Sequence, residues 1–271
     1  MYVKCTEVTF EMSEIIVITS GKGGVGKTTS VANIGIGLAK KGKKVVLIDA
    51  DIGLRNLDIL LGMENDVVYD IADVILGNCG LRQSLIRSEY SENLYLLPAS
   101  QSTEKYILNA EDIGLICQKL ADEFDYILID CPAGIGNGFK NAVACANRAI
   151  VVTGGEKTAI RDADRVIDKL NEYGIHNNHI LINRIRKNLV KSGDMINPDD
   201  VIDTLGVKII GLIPDDDAVI ISTNKGLPCI LDKSSYVGVA YENIARRIMG
   251  ESVPVIDLYK RKKKRFLFSK R

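Results

Sequence analysis

The sequence has no excess of charge of either sign. Thirty-five Lys and Arg stand against 35 Asp and Glu, so the formal net charge is zero. No global field then draws the chain to nucleic acid or acidic membranes, and any such attraction has to come from a local cluster. No apolar run approaches the roughly 18 residues that a membrane span needs. The first residues lack a basic region followed by an apolar stretch, so they do not read as a secretory signal. The six cysteines, at 5, 79, 117, 131, 145 and 229, form no C-x-x-C pair. That argues against a zinc site or a thioredoxin-like motif, and the thiols fit a reducing compartment. No internal repeat is visible, and no linker splits residues 13–250.

What is there is ordinary in composition and ordered in pattern. With 46% hydrophobic and 26% charged residues among 271, the chain is long enough for one large α/β domain or two small ones. From Glu14 onward, strand-like and helix-like stretches alternate. Candidate strands are Ile15–Thr19, Val45–Asp49, Leu94–Leu97, Tyr126–Asp130, Ala149–Thr153, Ile180–Asn183 and Lys208–Ile213. Helical patterns lie between them, among them Ser30–Lys40, Glu111–Glu123 and Arg161–Tyr173. The strands are apolar nearly throughout, as expected when helices cover both faces. The pattern predicts an α/β fold with a doubly wound, mostly parallel sheet and ligands beyond the C-terminal strand ends. Residues 1–12 read as an N-terminal extension, 13–250 as the folded domain, and 251–271 as a linker with a basic tail.

The first strand runs into Ser-Gly-Lys-Gly-Gly-Val-Gly-Lys-Thr-Thr at positions 20–29. This fits the phosphate-loop pattern G-x-x-x-x-G-K-[ST], with Gly21, Gly26, Lys27 and Thr28 in the required places and a helix following. Glycines let successive N–H groups point inward at phosphate oxygens, so Gly21, Gly23, Gly24, Val25, Gly26 and Thr29 join the nucleotide set. Lys27 is placed to reach the β- and γ-phosphates, and the Thr28 hydroxyl to bind Mg²⁺. A glycine-rich turn that binds nothing would not need the whole pattern in this context.

Carboxylates mark two strand ends. Asp49 and Asp51 stand at the mouth of one strand and Asp130 at another. An apolar strand ending in Asp after a phosphate loop reads as an element that orders Mg²⁺ directly or through water. The expected metal set is therefore Thr28, Asp49, Asp51 and Asp130, although strand-end aspartates also serve as plain helix caps. Asp51 begins a segment, residues 51–58, that reads as flexible, from which it could orient the attacking water. Lys22 is the unusual residue. A second lysine at the head of the loop faces the same phosphates as Lys27 only if one of the two comes from a partner molecule; otherwise it is a solvated loop residue.

The tail beyond Gly250 concentrates charge. On a helical wheel Val255, Ile256, Tyr259, Phe266 and Leu267 gather on one side with Lys263 among them, while Phe268 falls off that face. By itself this is either an interfacial amphipathic helix or a basic tail that binds nothing or nucleic acid nonspecifically.

The spacing K-G-G-V-G-K-T-T resembles the deviant Walker A signature of the ParA/MinD class of phosphate-loop ATPases. The segments Ile48–Asp58 (with Gly-Leu-Arg-Asn-Leu-Asp), Val67–Asp70, Asn93–Gln101, Asp130–Ile135, Arg161–Arg165 and Gly211–Asp216 narrow the resemblance to the septum-site-determining (MinD) family, from about Glu14 to Gly250. The resemblance implies an ATPase, slow until stimulated, that dimerises on ATP with Lys22 crossing the interface and positions the division site. It implies catalytic roles for Lys22, Lys27 and Asp51, adenine contacts at Asn183, Pro214 and Asp215, and a dimer or partner surface at Asp162 and Asp164. The implied cofactors are ATP and Mg²⁺. The implied partners are the division inhibitor MinC, MinE or another topological factor, and an anionic membrane gripped by Tyr259, Lys263, Arg265, Phe266, Leu267 and Phe268. The implied location is the cytoplasm and the inner face of the cell membrane, or a plastid counterpart. Gly154-Gly155-Glu156 stands where the family usually carries Asn-Pro-Glu, a departure expected to loosen that loop. Partition-type or flagellar-number ATPases of the same class remain alternatives, and so does an electron-transfer protein sharing the loop. The last would need cysteines placed to bridge a cluster.

Overall fold

A computed structural model describes residues 13–101, 108–232 and 234–256. The N-terminal extension and the tail residues Tyr259 to Phe268 lie outside the described residues. In chain order the elements begin with β1 (Glu14–Thr19), α1 (Lys27–Ala39), β2 (Val45–Asp49), α2 (Leu57–Leu60), α3 (Ile71–Ile75), α4 (Leu81–Ser84), β3 (Ile86–Arg87) and β4 (Leu94–Leu97). They continue with α5 (Ala110–Ala121), β5 (Tyr126–Asp130), α6 (Asn137–Val143), β6 (Arg148–Thr153), α7 (Lys157–Glu172) and β7 (Asn178–Ile185). The last are α8 (Lys187–Ser192), α9 (Pro198–Leu205), β8 (Lys208–Pro214), α10 (Asp217–Asn224) and α11 (Tyr236–Ile248).

One eight-stranded sheet runs in the order β3-β4-β2-β5-β1-β6-β7-β8. All pairings are parallel except β3 with β4. The antiparallel edge β3 escapes sequence reading because two residues carry no period. β1 sits between β5 and β6. The chain winds to one side of β1 through β2 and β4 and to the other through β6, β7 and β8, so a crevice opens beyond the C-terminal end of β1.

Strand alternation divides the core into two layers. Val17, Val46, Ile48, Ile127, Ile129 and Val151 face the layer shared with α5, α6 and α7. Ile16, Ile18, Val45, Leu47, Leu128 and Ile150 face the layer shared with α1 and α11. Each strand is buried on both faces, which is why it reads as a continuous apolar run. Residues 251–256, read as a linker, lie against α11: Arg247 donates from Nε to the Val253 carbonyl and from Nη2 to that of Pro254, both at 2.7 Å.

Candidate nucleotide site

The loop between β1 and α1 lies at that crevice. Gly24 and Gly26 hold φ values of 74° and 94°, in the left-handed region that favours glycine. Helices α3, α5, α9, α10 and α11 begin with a side chain capping the first-turn N–H groups, from Asp70, Asn109, Asn197, Asp216 and Ser235. α1 has Gly26 at its N-cap, with no side-chain cap and no acidic residue in its first turn. Those N–H groups and the positive dipole end therefore point into the crevice, an arrangement suited to phosphate oxygens.

Neighbouring elements fix the loop from three sides. Asn183 Nδ2 donates to the Val25 carbonyl at 2.7 Å. The Ser20 hydroxyl donates to the Lys22 carbonyl at 2.8 Å, and Gly134 N–H donates to the Ser20 carbonyl at 2.9 Å. Gly21 lies so close to α7 that an added Cβ would meet Asp162 Cβ at 2.5 Å. Asn183, which the resemblance places at the adenine, also braces the phosphate loop. Pro214 ends β8, and Asp215 accepts from Arg186 Nε at 2.6 Å. Together the loop and the end of β7 bound a cavity of about 260 Å³, lined by Lys22, Gly24, Val25, Glu156, Asn183 and Arg184.

Lys27 is buried at the start of α1. Lys22 is half exposed and pairs with Asp162 on α7 of the same chain, Nζ to Oδ2 at 3.1 Å. Asp164, two residues further along the helix, faces a different neighbour and lines a cavity with Arg161, Ile196 and Leu205. The two aspartates expected on one surface therefore point apart, as a two-residue spacing on a helix dictates.

The three strand-end carboxylates converge. Asp49 and Asp130 are register partners at the ends of β2 and β5, and both are buried. Burial, and then the charge of Asp130, push the Asp49 carboxyl up to about 8. Burial also raises Asp130, to about 6, against the pull of Lys27 and a hydrogen bond from Thr28. Asp130 Oδ1 has no hydrogen-bond partner among the described residues although it is buried. A buried carboxylate oxygen left unpaired beside a hydroxyl and a lysine fits a divalent cation and polyphosphate. Asp49 is placed otherwise than expected for a ligand. Its Oδ1 accepts from Asp51 N–H at 3.0 Å and its Oδ2 from Leu57 N–H at 3.2 Å.

The segment read as flexible is held from outside at Asp51, Gly53 and Leu57 and braced by one ion pair within it. Asp49 holds both of its ends, Gly53 N–H donates to the Ser100 carbonyl at 2.8 Å, and Arg55 Nε lies 2.6 Å from Asp58 Oδ2. Asp51 is carried on this frame, partly open to solvent. The Gly154–Gly155 loop is not loose either. A Cβ at Gly155 would meet the Met195 side chain at 2.6 Å, and the Gly155 carbonyl accepts from Ile196 N–H at 3.1 Å. The sequence reading missed Met195 and Arg184, neither of which carries a motif. The left-handed backbone at Arg184, φ 55°, is visible only in three dimensions.

Comparison with known proteins agrees with this geometry. The AAA domain family model matches residues 13–182. The septum site-determining protein MinD of Synechocystis is 51% identical over 247 residues, 91% of this chain and 93% of that protein. The MinC:MinD cell division protein complex of Aquifex aeolicus superposes with a TM-score of 0.85 at 45% identity, over 90% of this chain and 99% of that one. A septum site-determining protein MinD from Pyrococcus horikoshii, complexed with Mg-ADP, superposes at 0.81 with 28% identity, over 89% and 100% of the two chains. These relatives do not favour the partition-type or flagellar-number alternatives. With the deviant phosphate loop, its helix and the converging aspartates in place, the chain belongs to the septum site-determining MinD family.

Proposed function

We propose that this chain is an ATPase whose nucleotide state controls its pairing and its membrane attachment, and that it positions the cell division site. The observation that carries this reading is the uncapped start of α1, framed by Lys27, Thr28 and the buried Asp130. ATP is the substrate, held by the N–H groups of residues 21–29 and by Lys27. Thr28 and Asp130 would hold Mg²⁺, which supplies charge neutralisation at the phosphate oxygens when bound. The Mg-ADP complex of the Pyrococcus horikoshii protein supports both assignments. Asp49 acts through the backbone of residues 51–57, which it fixes, and so places Asp51 where an attacking water would be oriented.

Lys22 leaves Asp162 when a second chain presents a phosphate, so two chains close with their nucleotides between them. Hydrolysis removes that phosphate and the pair separates. Beyond Ile256 the basic, Phe- and Leu-containing tail attaches to an anionic membrane. Each basic residue gains on the order of 1 kcal/mol near such a surface, and a single tail attaches reversibly. Two tails held in one dimer bind with an avidity gain of about 10² or more. The MinC:MinD complex of the Aquifex aeolicus relative supports a division inhibitor as the dimer's partner. A MinE-type or other topological factor stimulates hydrolysis. Among the described residues no helix is long and apolar enough to cross a membrane.

Co-sedimentation of the full chain with vesicles containing anionic lipid tests the reading. ATP should bring most of the protein down and ADP little. Equal recovery with both nucleotides would overturn the switch.

A further inference from the structure

Cys117 and Cys145 are 28 residues apart in sequence, yet their sulfurs lie 3.1 Å from each other. Cys117 is on α5 and fully buried. Cys145 is in the turn between α6 and β6 and is only half-buried, the more open residue of the pair. A disulfide bond is about 2.0 Å long, and the two sulfurs need to approach by only roughly 1 Å. Neither thiol has a part in the nucleotide site. Two thiols in contact inside an otherwise apolar layer are also not required for packing, which any small apolar residue would satisfy.

We propose that Cys117 and Cys145 form a disulfide reversibly on exposure to a hydroperoxide, tying α5 to the turn that follows α6. Cys145 is the attacking sulfur. Its sulfur takes the terminal oxygen of the hydroperoxide as the O–O bond breaks, giving a sulfenic acid and an alcohol, or water from hydrogen peroxide. The Cys117 sulfur then attacks the Cys145 sulfur. The S–O bond breaks, the thiol proton leaves with the hydroxyl as water, and the S–S bond forms. The dithiol loses two electrons and the hydroperoxide gains them.

The reactivity order agrees with the placement. Cys145 is only half-buried, while Cys117 is fully buried and its thiol is pushed up by the bond with Cys145 and by burial. Burial raises Cys131 to about 12 and raises Cys229, and both are nearly inaccessible. Cys79 is also only partly buried, but burial and then Asp73 and Asp70 raise its thiol, so Cys145 is the described sulfur best placed to react first, with its resolving partner already in contact.

The test uses the full chain and hydrogen peroxide near equimolar with protein, followed by alkylation after unfolding and peptide mass analysis. The expected product is a single chain carrying a Cys117–Cys145 crosslink, lighter by two hydrogens and restored by dithiothreitol. Its Tm should rise by a few degrees, because the closed loop restricts the unfolded chain. Cys145→Ser should show neither the crosslink nor the rise. Three outcomes would overturn the proposal. Both thiols could remain alkylatable after peroxide, Cys145 could proceed to sulfinic acid with Cys117 still free, or the crosslinks could join other cysteines.

Discussion

Lys22 Nζ lies 3.1 Å from Asp162 Oδ2 of the same chain, across the face of the phosphate loop. The signature lysine is thus occupied before any second chain arrives. An ion pair this open to solvent contributes about 0–1 kcal/mol, so a phosphate can displace the carboxylate easily. Lys22→Ala should leave a chain that binds ATP but elutes as a monomer by size-exclusion chromatography in a non-hydrolysable ATP analogue. Asp162→Asn should remove the competing acceptor in both chains of the pair, and dimers should then form at up to about 25-fold lower protein concentration. Pairing of Lys22→Ala at wild-type concentrations would remove the crossing lysine from the mechanism.

Glycines within the loop differ in what surrounds them. A Cβ at Gly21 would stand 2.8 Å from the Asp162 backbone, whereas one at Gly23 would meet nothing within 4 Å. Overpacking against a helix backbone costs about 1–3 kcal/mol. Gly21→Ala should therefore lower Tm by several degrees in the absence of nucleotide, while Gly23→Ala should leave it within about a degree. Scanning calorimetry of the two variants side by side reads the difference. Equal losses would mean that α7 does not press on the loop.

The same comparison explains what could be read in advance. Strand positions were legible because burial on both faces writes a continuous apolar run, as in Val45–Asp49, and because the phosphate loop has fixed spacing. Asp130 was legible as a charge ending such a run. The role of Asp49 was not, since its partners are the N–H groups of Asp51 and Leu57, and no side-chain pattern records a backbone contact. That Asn183 braces the phosphate loop was not legible either, because its hydrogen bond to the Val25 carbonyl spans 158 residues. Gly155 read as a loosening substitution because Met195, which fills the space a side chain would need, lies 40 residues away. The thiol pair fell between motifs for the same reason.

His179 gives the fold a pH dependence of known sign. It lies on β7 beside β6 and β8. Burial, then Arg148 and Lys208, hold its pKa down to about 4 from 6.5. The folded chain keeps this ring neutral, while the unfolded chain binds a proton as pH falls below 6.5. Its effect is therefore absent above that pH, and stability is lost progressively between pH 6.5 and 4. Acidic groups titrate in the same window, so the informative quantity is a difference between two proteins. Tm should fall less from pH 7 to pH 4.5 in His179→Gln than in the wild type. Parallel curves would place the ring proton elsewhere.

Where the folded domain ends decides how the tail can be tested. Arg246 Nε donates to Glu251 Oε2 at 2.7 Å, and Arg247 binds the carbonyls of Val253 and Pro254. Ile256 packs against the layer that holds α1 and α11. Cutting after Gly250 removes these acceptors and leaves the Arg247 guanidinium short of partners, at a cost of about 2 kcal/mol. Cutting after Ile256 removes the basic tail alone. The chain ending at Ile256 should keep the wild-type Tm and the ATP-dependent dimer yet stay in the supernatant with anionic vesicles. The chain ending at Gly250 should also stay in the supernatant, but with a lower Tm. If the longer truncation product still sediments with vesicles in ATP, the membrane contact belongs to the folded domain and not to residues 257–271.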